Sequence, residues 1–171
     1  MRRWLLLIVS IVGVGTLFAW PRQEEVEHPS PLYVGALRCK VCHVETYNSW
    51  QQTQHAEALL TLAPDKAEDP ACLRCHTTGY GDSTYGAIAK PTYHAGVQCE
   101  ACHGPGSLYS RSSVMRDPEK SYLLGLVRID STTCIRCHNQ ESPTFKGFAY
   151  QAGLSSGTHL RKPGRGSAIT P

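Results

Sequence analysis

The sequence predicts a mainly α-helical chain with much irregular coil, folded as a compact unit without a conventional hydrophobic core and preceded by one N-terminal membrane-spanning helix. Three observations predict this. An uncharged run from Trp4 to Trp20 stands directly behind Arg2 and Arg3. The pattern from Val34 to about Leu62 is compatible with helix, whereas Gly and Pro punctuate much of the chain after Pro70. One five-residue stretch recurs four times in a chain of 171 residues that has too little apolar periodicity to bury a core of its own.

The recurring stretch is C-x-x-C-H. It occurs at Cys39, Cys42 and His43, at Cys72, Cys75 and His76, at Cys99, Cys102 and His103, and at Cys134, Cys137 and His138. Two thiols three positions apart can add to the two vinyl groups on one porphyrin edge, and the adjacent His can then ligate the iron from below. The repeats use all 8 cysteines. Zinc ribbons or a thioredoxin-like redox pair would also use C-x-x-C, but neither explains a His directly after all four pairs. The motifs therefore predict four covalently bound haem c groups, with porphyrin as the core and His43, His76, His103 and His138 as proximal iron ligands. The formal charge of +3 is modest and gives no sign of nucleic acid. Four haems would lower it to about −1 when ferric and about −5 when ferrous, if every propionate is ionised.

In chain order, residues 1–20 read as a targeting or anchoring segment. The 17 apolar residues from Trp4 to Trp20 are short for a span but long for a signal core, with Trp at both ends where an interfacial belt would lie. A cut after Ala19 would put Leu17 where a small residue is wanted, so a retained anchor is favoured over a cleaved signal. The basic flank predicts a single pass through the cytoplasmic membrane, with the rest on the periplasmic or extracellular side. Residues 21–31 are a polar, Pro-flanked linker holding His28.

Residues 32–160 form the expected haem domain. Its longest helical region is expected between Val34 and Leu62, anchored by Tyr47, Trp50, Leu59, Leu60 and Leu62 and stopped at Pro64. Gly79, Gly81 and Gly86, the Gly104-Pro105-Gly106 turn and the break at Pro118 follow. Tyr47, Trp50 and Tyr80 read as haem-packing aromatics. Residues 161–171, rich in Gly and Pro, read as a flexible tail.

Four histidines lie outside the motifs, His28, His55, His94 and His159, matching the number of distal iron positions. The match favours bis-histidine haems of low potential over ligation by Met115. His55 lies twelve positions after His43. On a continuous helix that is about 18 Å, far more than one iron can bridge, so His55 is expected at a different haem. No carboxylate pair with acid/base spacing is apparent, and no catalytic residue is assigned.

The chain resembles the tetrahaem cytochrome c-554 family. The resemblance is carried by Tyr33-Val34-Gly35 through Cys39, His43, Trp50, Thr53 and His55-Ala56, by Cys72, Cys75 and His76 with Gly79-Tyr80-Gly81, by Gly96-Val97 through Cys99-Glu100, Cys102 and His103 to Gly104-Pro105-Gly106, and by the fourth motif. It implies a largely helical and coil fold with closely packed haem pairs, and an electron carrier between redox proteins. It also implies that His55 is the distal ligand of the fourth haem and His159 that of the third. The family places a His after the Gly-Pro-Gly turn for the first haem, where this chain has Leu108-Tyr109-Ser110. Either His28 or His94 substitutes, or that haem is open; His94 is alternatively the residue that closes the second haem, which is five-coordinate in the family's type member.

The expected function is electron transfer between a membrane quinol oxidoreductase and another redox protein, such as a second cytochrome, and not an enzymatic reaction. The alternatives are a small haem enzyme with one open iron that reduces nitric oxide or nitrite, and an oligomer in the form of an extracellular cytochrome filament.

Overall fold

The computed structural model describes residues 30–82 and 91–159. The expected anchor, most of the linker with His28, Gly86 and the tail lie outside them. No helix among the described residues is long and apolar enough to cross a membrane.

Eight short α-helices carry the described chain: α1 (Ala36–Lys40), α2 (Val44–Trp50), α3 (Pro70–His76), α4 (Cys99–His103), α5 (Ser112–Met115), α6 (Pro118–Leu123), α7 (Ser131–Ile135) and α8 (Tyr150–Ser156). Three 3-10 turns, Ala58–Thr61, Pro64–Lys66 and Pro91–His94, lie between them. The extended pairing described is one isolated bridge between Thr77 and Ala95. None of the α-helices exceeds seven residues. Isolated helices of that length are unstable in water, so tertiary ties must hold them.

The helical region expected between Val34 and Leu62 is present as separate short pieces. His43 has φ −118° and ψ 48°, outside the helical region, and so separates α1 from α2. After Trp50 the chain runs through turns, because the Trp50 indole donates to the Val97 carbonyl at 2.9 Å and ties this corner to a distant segment. Leu60, expected as an apolar anchor, is 82% exposed.

Pro118 also acts differently from the expectation: it does not break the chain but starts α6, as Pro70 starts α3, each preceded by an Asp cap. Asp69 accepts from the Ala71 N–H at 2.9 Å and Asp117 from the Lys120 N–H at 3.1 Å. Proline suits the first helical position because its missing N–H would have no helical partner there.

The expectation of a sparse apolar core holds. Among the described residues the buried hydrophobic side chains are Ala36, Tyr47, Tyr109 and Val114, while Thr78, His94, Gln98, Glu100 and Ser121 are buried polar ones. Two polar side chains on or beside α4 organise the surroundings. Glu100 is 1% exposed and accepts from three backbone N–H groups: Val34 at 2.9 Å, Gly35 at 2.7 Å and Gly106 at 2.6 Å. Gln98 accepts from the Ala36 N–H at 2.8 Å and donates to the carbonyls of Tyr93 and Ala95. The residues leading into α1 are thereby tied to α4, against which α1 packs.

The entry to α1 also needs a glycine. Gly35 has φ +76°, and a Cβ there would come within 2.5 Å of the Tyr93 ring, whose hydroxyl donates to the Val34 carbonyl. A second tie joins motif 2 to the segment before α4. The Thr78 N–H donates to the His94 carbonyl at 2.9 Å, its hydroxyl donates to the Gly96 carbonyl, and the Gln98 N–H donates to that hydroxyl at 2.7 Å.

Glu100→Gln keeps the volume but turns an amide donor toward backbone donors. A buried N–H left without an acceptor costs about 1–3 kcal/mol. The expected outcome is a loss of that order in the unfolding free energy of the haem-loaded protein, measured by denaturant titration, with little change for Glu119→Gln on the exposed face of α6.

Candidate functional site

Each motif sits on or just after a short helix, so its two sulfurs and its His leave the backbone from one turn. Motif 1 spans α1 and the break at His43, motif 2 ends α3, motif 3 is α4, and motif 4 runs from the end of α7 into the following turn. The tertiary structure then brings motifs together in pairs that sequence order does not suggest.

Motif 1 meets motif 3 at the side chains of Cys39 and Cys99, which lie close enough to act on one another. Cys99 pushes the Cys39 thiol up, with burial adding to it, and Cys39 pulls the Cys99 thiol down. Motif 2 meets motif 4: burial, followed by the neighbouring Cys75, pushes the Cys137 thiol up to about 12. These thiols stand in for thioether sulfurs, which do not titrate once haem is attached, so the shifts matter here as a record of proximity. Across the same junction Arg74 reaches Glu141 at 2.5 Å. Motif 3 meets motif 4 where the Arg136 guanidinium donates to the Ala101 carbonyl at 2.6 Å, and Cys134 lies among the groups that act on Cys102.

The histidines are brought into opposition in two places. The rings of His55 and His138 are 5.9 Å apart between centroids, and those of His103 and His159 are 6.2 Å apart. Two imidazoles on one metal, each bonded at about 2 Å with about 1 Å more from nitrogen to ring centre, stand about 6 Å apart. Burial holds His55 and His103 below the ordinary histidine range, with His138 and His159 adding to the effect respectively. That favours the neutral imidazole that a metal needs.

Hydrogen bonds orient two of these rings. His76 Nδ1 lies 2.6 Å from the Ala58 carbonyl, which can only accept, so the proton is on Nδ1 and Nε2 is free to ligate. His55 is paired in the same way with the backbone of Gly157. Phe148, which no sequence signal singled out, stacks on His138 with 4.6 Å between ring centres.

The remaining candidates are placed differently. His43 is exposed and contributes to the local field at His103. His94 is 1% exposed, and its ring neighbours are Tyr33 at 6.2 Å and Tyr93 at 5.3 Å. The described contacts do not bring its ring against a motif histidine. Tyr47 is buried and packs on Trp50 at 5.5 Å, as haem-side aromatics would.

The donor set fits the cofactor that the motifs imply. No group of three or more His, Cys, Asp or Glu among the described residues could cage a bare ion. Donors instead come as opposed histidine pairs, which suits a metal whose other four ligands are porphyrin nitrogens. Cys39, Cys42, Cys72, Cys75, Cys99, Cys102, Cys134 and Cys137 are the residues that would hold the four porphyrin edges, and none of them is in a disulfide.

A helical chain with such motifs and opposed imidazoles is a multihaem c-type cytochrome. Residues 38–104 match the family model for cytochrome c554 and c-prime. Cytochrome c-554 of Nitrosomonas europaea is 33% identical over 59% of this chain and 50% of its own length, so the chain spans about half of that relative. The reduced state of cytochrome c554 from the same organism superposes with a TM-score of 0.57 at 25% identity, over 70% of this chain and 72% of the other. Over these stretches the chain is similar to the tetrahaem cytochrome c-554 family, which supports four covalently bound haem c groups on its four motifs.

If His55 is a distal ligand opposite His138, then His55→Ala converts one low-spin iron to high-spin and leaves all four haems attached. Low-temperature electron paramagnetic resonance, with a pyridine haemochrome count of four, checks this. An unchanged spin state means that His55 is not a ligand.

Proposed function

We propose that this protein passes electrons along its four haems in the order motif 1, motif 3, motif 4, motif 2, between two redox proteins on the outer side of the cytoplasmic membrane. The observation that carries the reading is the chain of side-chain contacts, Cys39 with Cys99, Arg136 bridging to Ala101, and Cys137 with Cys75. Bound haem supplies one-electron chemistry between ferric and ferrous iron.

The chain's own residues do the rest. The paired cysteines hold neighbouring porphyrin edges side by side. His55 with His138, and His103 with His159, hold the two faces of the fourth and third sites. The Ala58 carbonyl and the Gly157 backbone fix which imidazole nitrogen faces inward, and Phe148 keeps water from one side of His138. Sites with a histidine on both faces, as at motifs 3 and 4, favour carrying electrons over binding a substrate.

The apolar run from Trp4 to Trp20 supports a tether, with a quinol oxidoreductase as electron donor and a further cytochrome as acceptor. A linker of about ten residues spans at most about 36 Å, so the haem domain would stay close to the membrane surface. Tethering raises the local concentration of the two redox groups.

Two measurements test the reading. Removal of residues 1–20 is expected to release a cytochrome that dithionite still reduces, but whose reduction by quinol in membranes becomes slow and dependent on its concentration; unchanged quinol-driven reduction sinks the tether. His55→Met is expected to raise one potential and, because motif 4 is interior to the order, to slow transfer from donor to acceptor. An end-to-end rate that ignores the substitution sinks the order.

A further inference from the structure

The junctions between motifs carry different charge, and one of them holds a cation without a matching acid. Three motifs have a basic residue between their cysteines: Lys40, Arg74 and Arg136. Arg74, at the junction of motifs 2 and 4, is balanced by Glu141 at 2.5 Å. Arg136, at the junction of motifs 3 and 4, is instead held by two carbonyls, Ala101 at 2.6 Å and its own helix's Thr133 at 3.2 Å. The ion pairs among the described residues are Lys66 with Asp69, Arg74 with Glu141 and Arg128 with Glu119, and none involves Arg136. Its positive charge acts on Cys102 of motif 3 and on Cys134 and Cys137 of motif 4. Asp130 opposes it at Cys134 but is not among the groups acting on Cys102 or Cys137.

Carbonyl partners fix the position of a guanidinium without cancelling its charge, whereas a carboxylate does both. A haem that gains one electron gains one unit of negative charge, so a fixed cation at its edge favours the reduced form. We propose that Arg136 is a positioning and tuning residue that raises the potentials of the two interior haems, those of motifs 3 and 4, above what their ligands alone would set. Arg74 does not do this at the other junction because Glu141 neutralises it. Electrons entering at either end of the order then collect at its centre, and the protein stores charge between encounters with its partners. The inference rests on the relay reading for its purpose but not for its test.

The test is spectroelectrochemical titration of the full-length, haem-loaded protein, with a haemochrome count and thermal melting as controls. Arg136→Gln is expected to lower two of the four potentials, each by about 28 mV, which is a threefold change in the ratio of reduced to oxidised haem at 59 mV per tenfold. Arg136→Lys, which keeps the charge, is expected to restore most of the difference, and a Lys variant that behaves like Gln overturns the proposal. Glu141→Gln supplies the opposite sign, since freeing the Arg74 charge is expected to raise two potentials. Four attached haems whose potentials ignore both Arg136 and Glu141 overturn this inference while leaving the relay order untouched.

Discussion

The arrangement depends on a buried carboxylate. Glu100 lies between the two cysteines of motif 3 and takes the backbone N–H groups of Val34, Gly35 and Gly106, the first two from the approach to motif 1 and the third from the turn after motif 3. Burial pushes its carboxyl up from the ordinary glutamate range, and these three N–H groups pull it back down. With Gln98 holding Ala36, the first turn of α4 carries the approach to α1 on its own side chains. The contact between Cys39 and Cys99 follows from that.

This reliance on polar ties follows from how little apolar surface the chain can bury. Helices of seven residues or fewer gain little from their own backbone bonds, and a core of Ala36, Tyr47, Tyr109 and Val114 cannot hold them together. Two kinds of long-range tie replace the core. Side chains donate to backbone carbonyls of other segments, such as Thr78 to Gly96 and Trp50 to Val97, and histidine rings from segments far apart in sequence face one another. Where such a pair shares one metal it would close a loop much as a disulfide does, reducing the freedom of the unfolded chain.

The same ties place charge. An arginine inside a C-x-x-C-H motif is near a porphyrin edge by covalent necessity, but its electrostatic worth depends on the neighbour that tertiary structure gives it. Glu141 approaches Arg74 from the turn beyond motif 4, whereas among the described residues the Arg136 guanidinium donates to the carbonyls of Thr133 and Ala101. Two residues of the same type in the same motif position therefore stand in different electrostatic surroundings.

The sequence by itself carried the chemistry as an expectation: four C-x-x-C-H motifs predict the number, attachment and proximal ligation of the haems, because vinyl spacing and the adjacent His are matters of local covalent geometry. It also made a conventional core implausible, and residues such as Cys99-Glu100 and the Gly-Pro-Gly turn were enough to carry the family resemblance. Only the tertiary structure decided which motifs adjoin and that the stretch from Val34 to Leu62 breaks at His43 and again after Trp50, whereas the approach of His55 to His138 and of His159 to His103 is what the resemblance had implied. Helical periodicity is a local preference worth a few tenths of a kcal/mol per residue, so an indole bonded to a distant carbonyl and a carboxylate that accepts from two distant N–H groups outweigh it. Those partners lie about 45 to 65 positions away along the chain, and no local pattern records them.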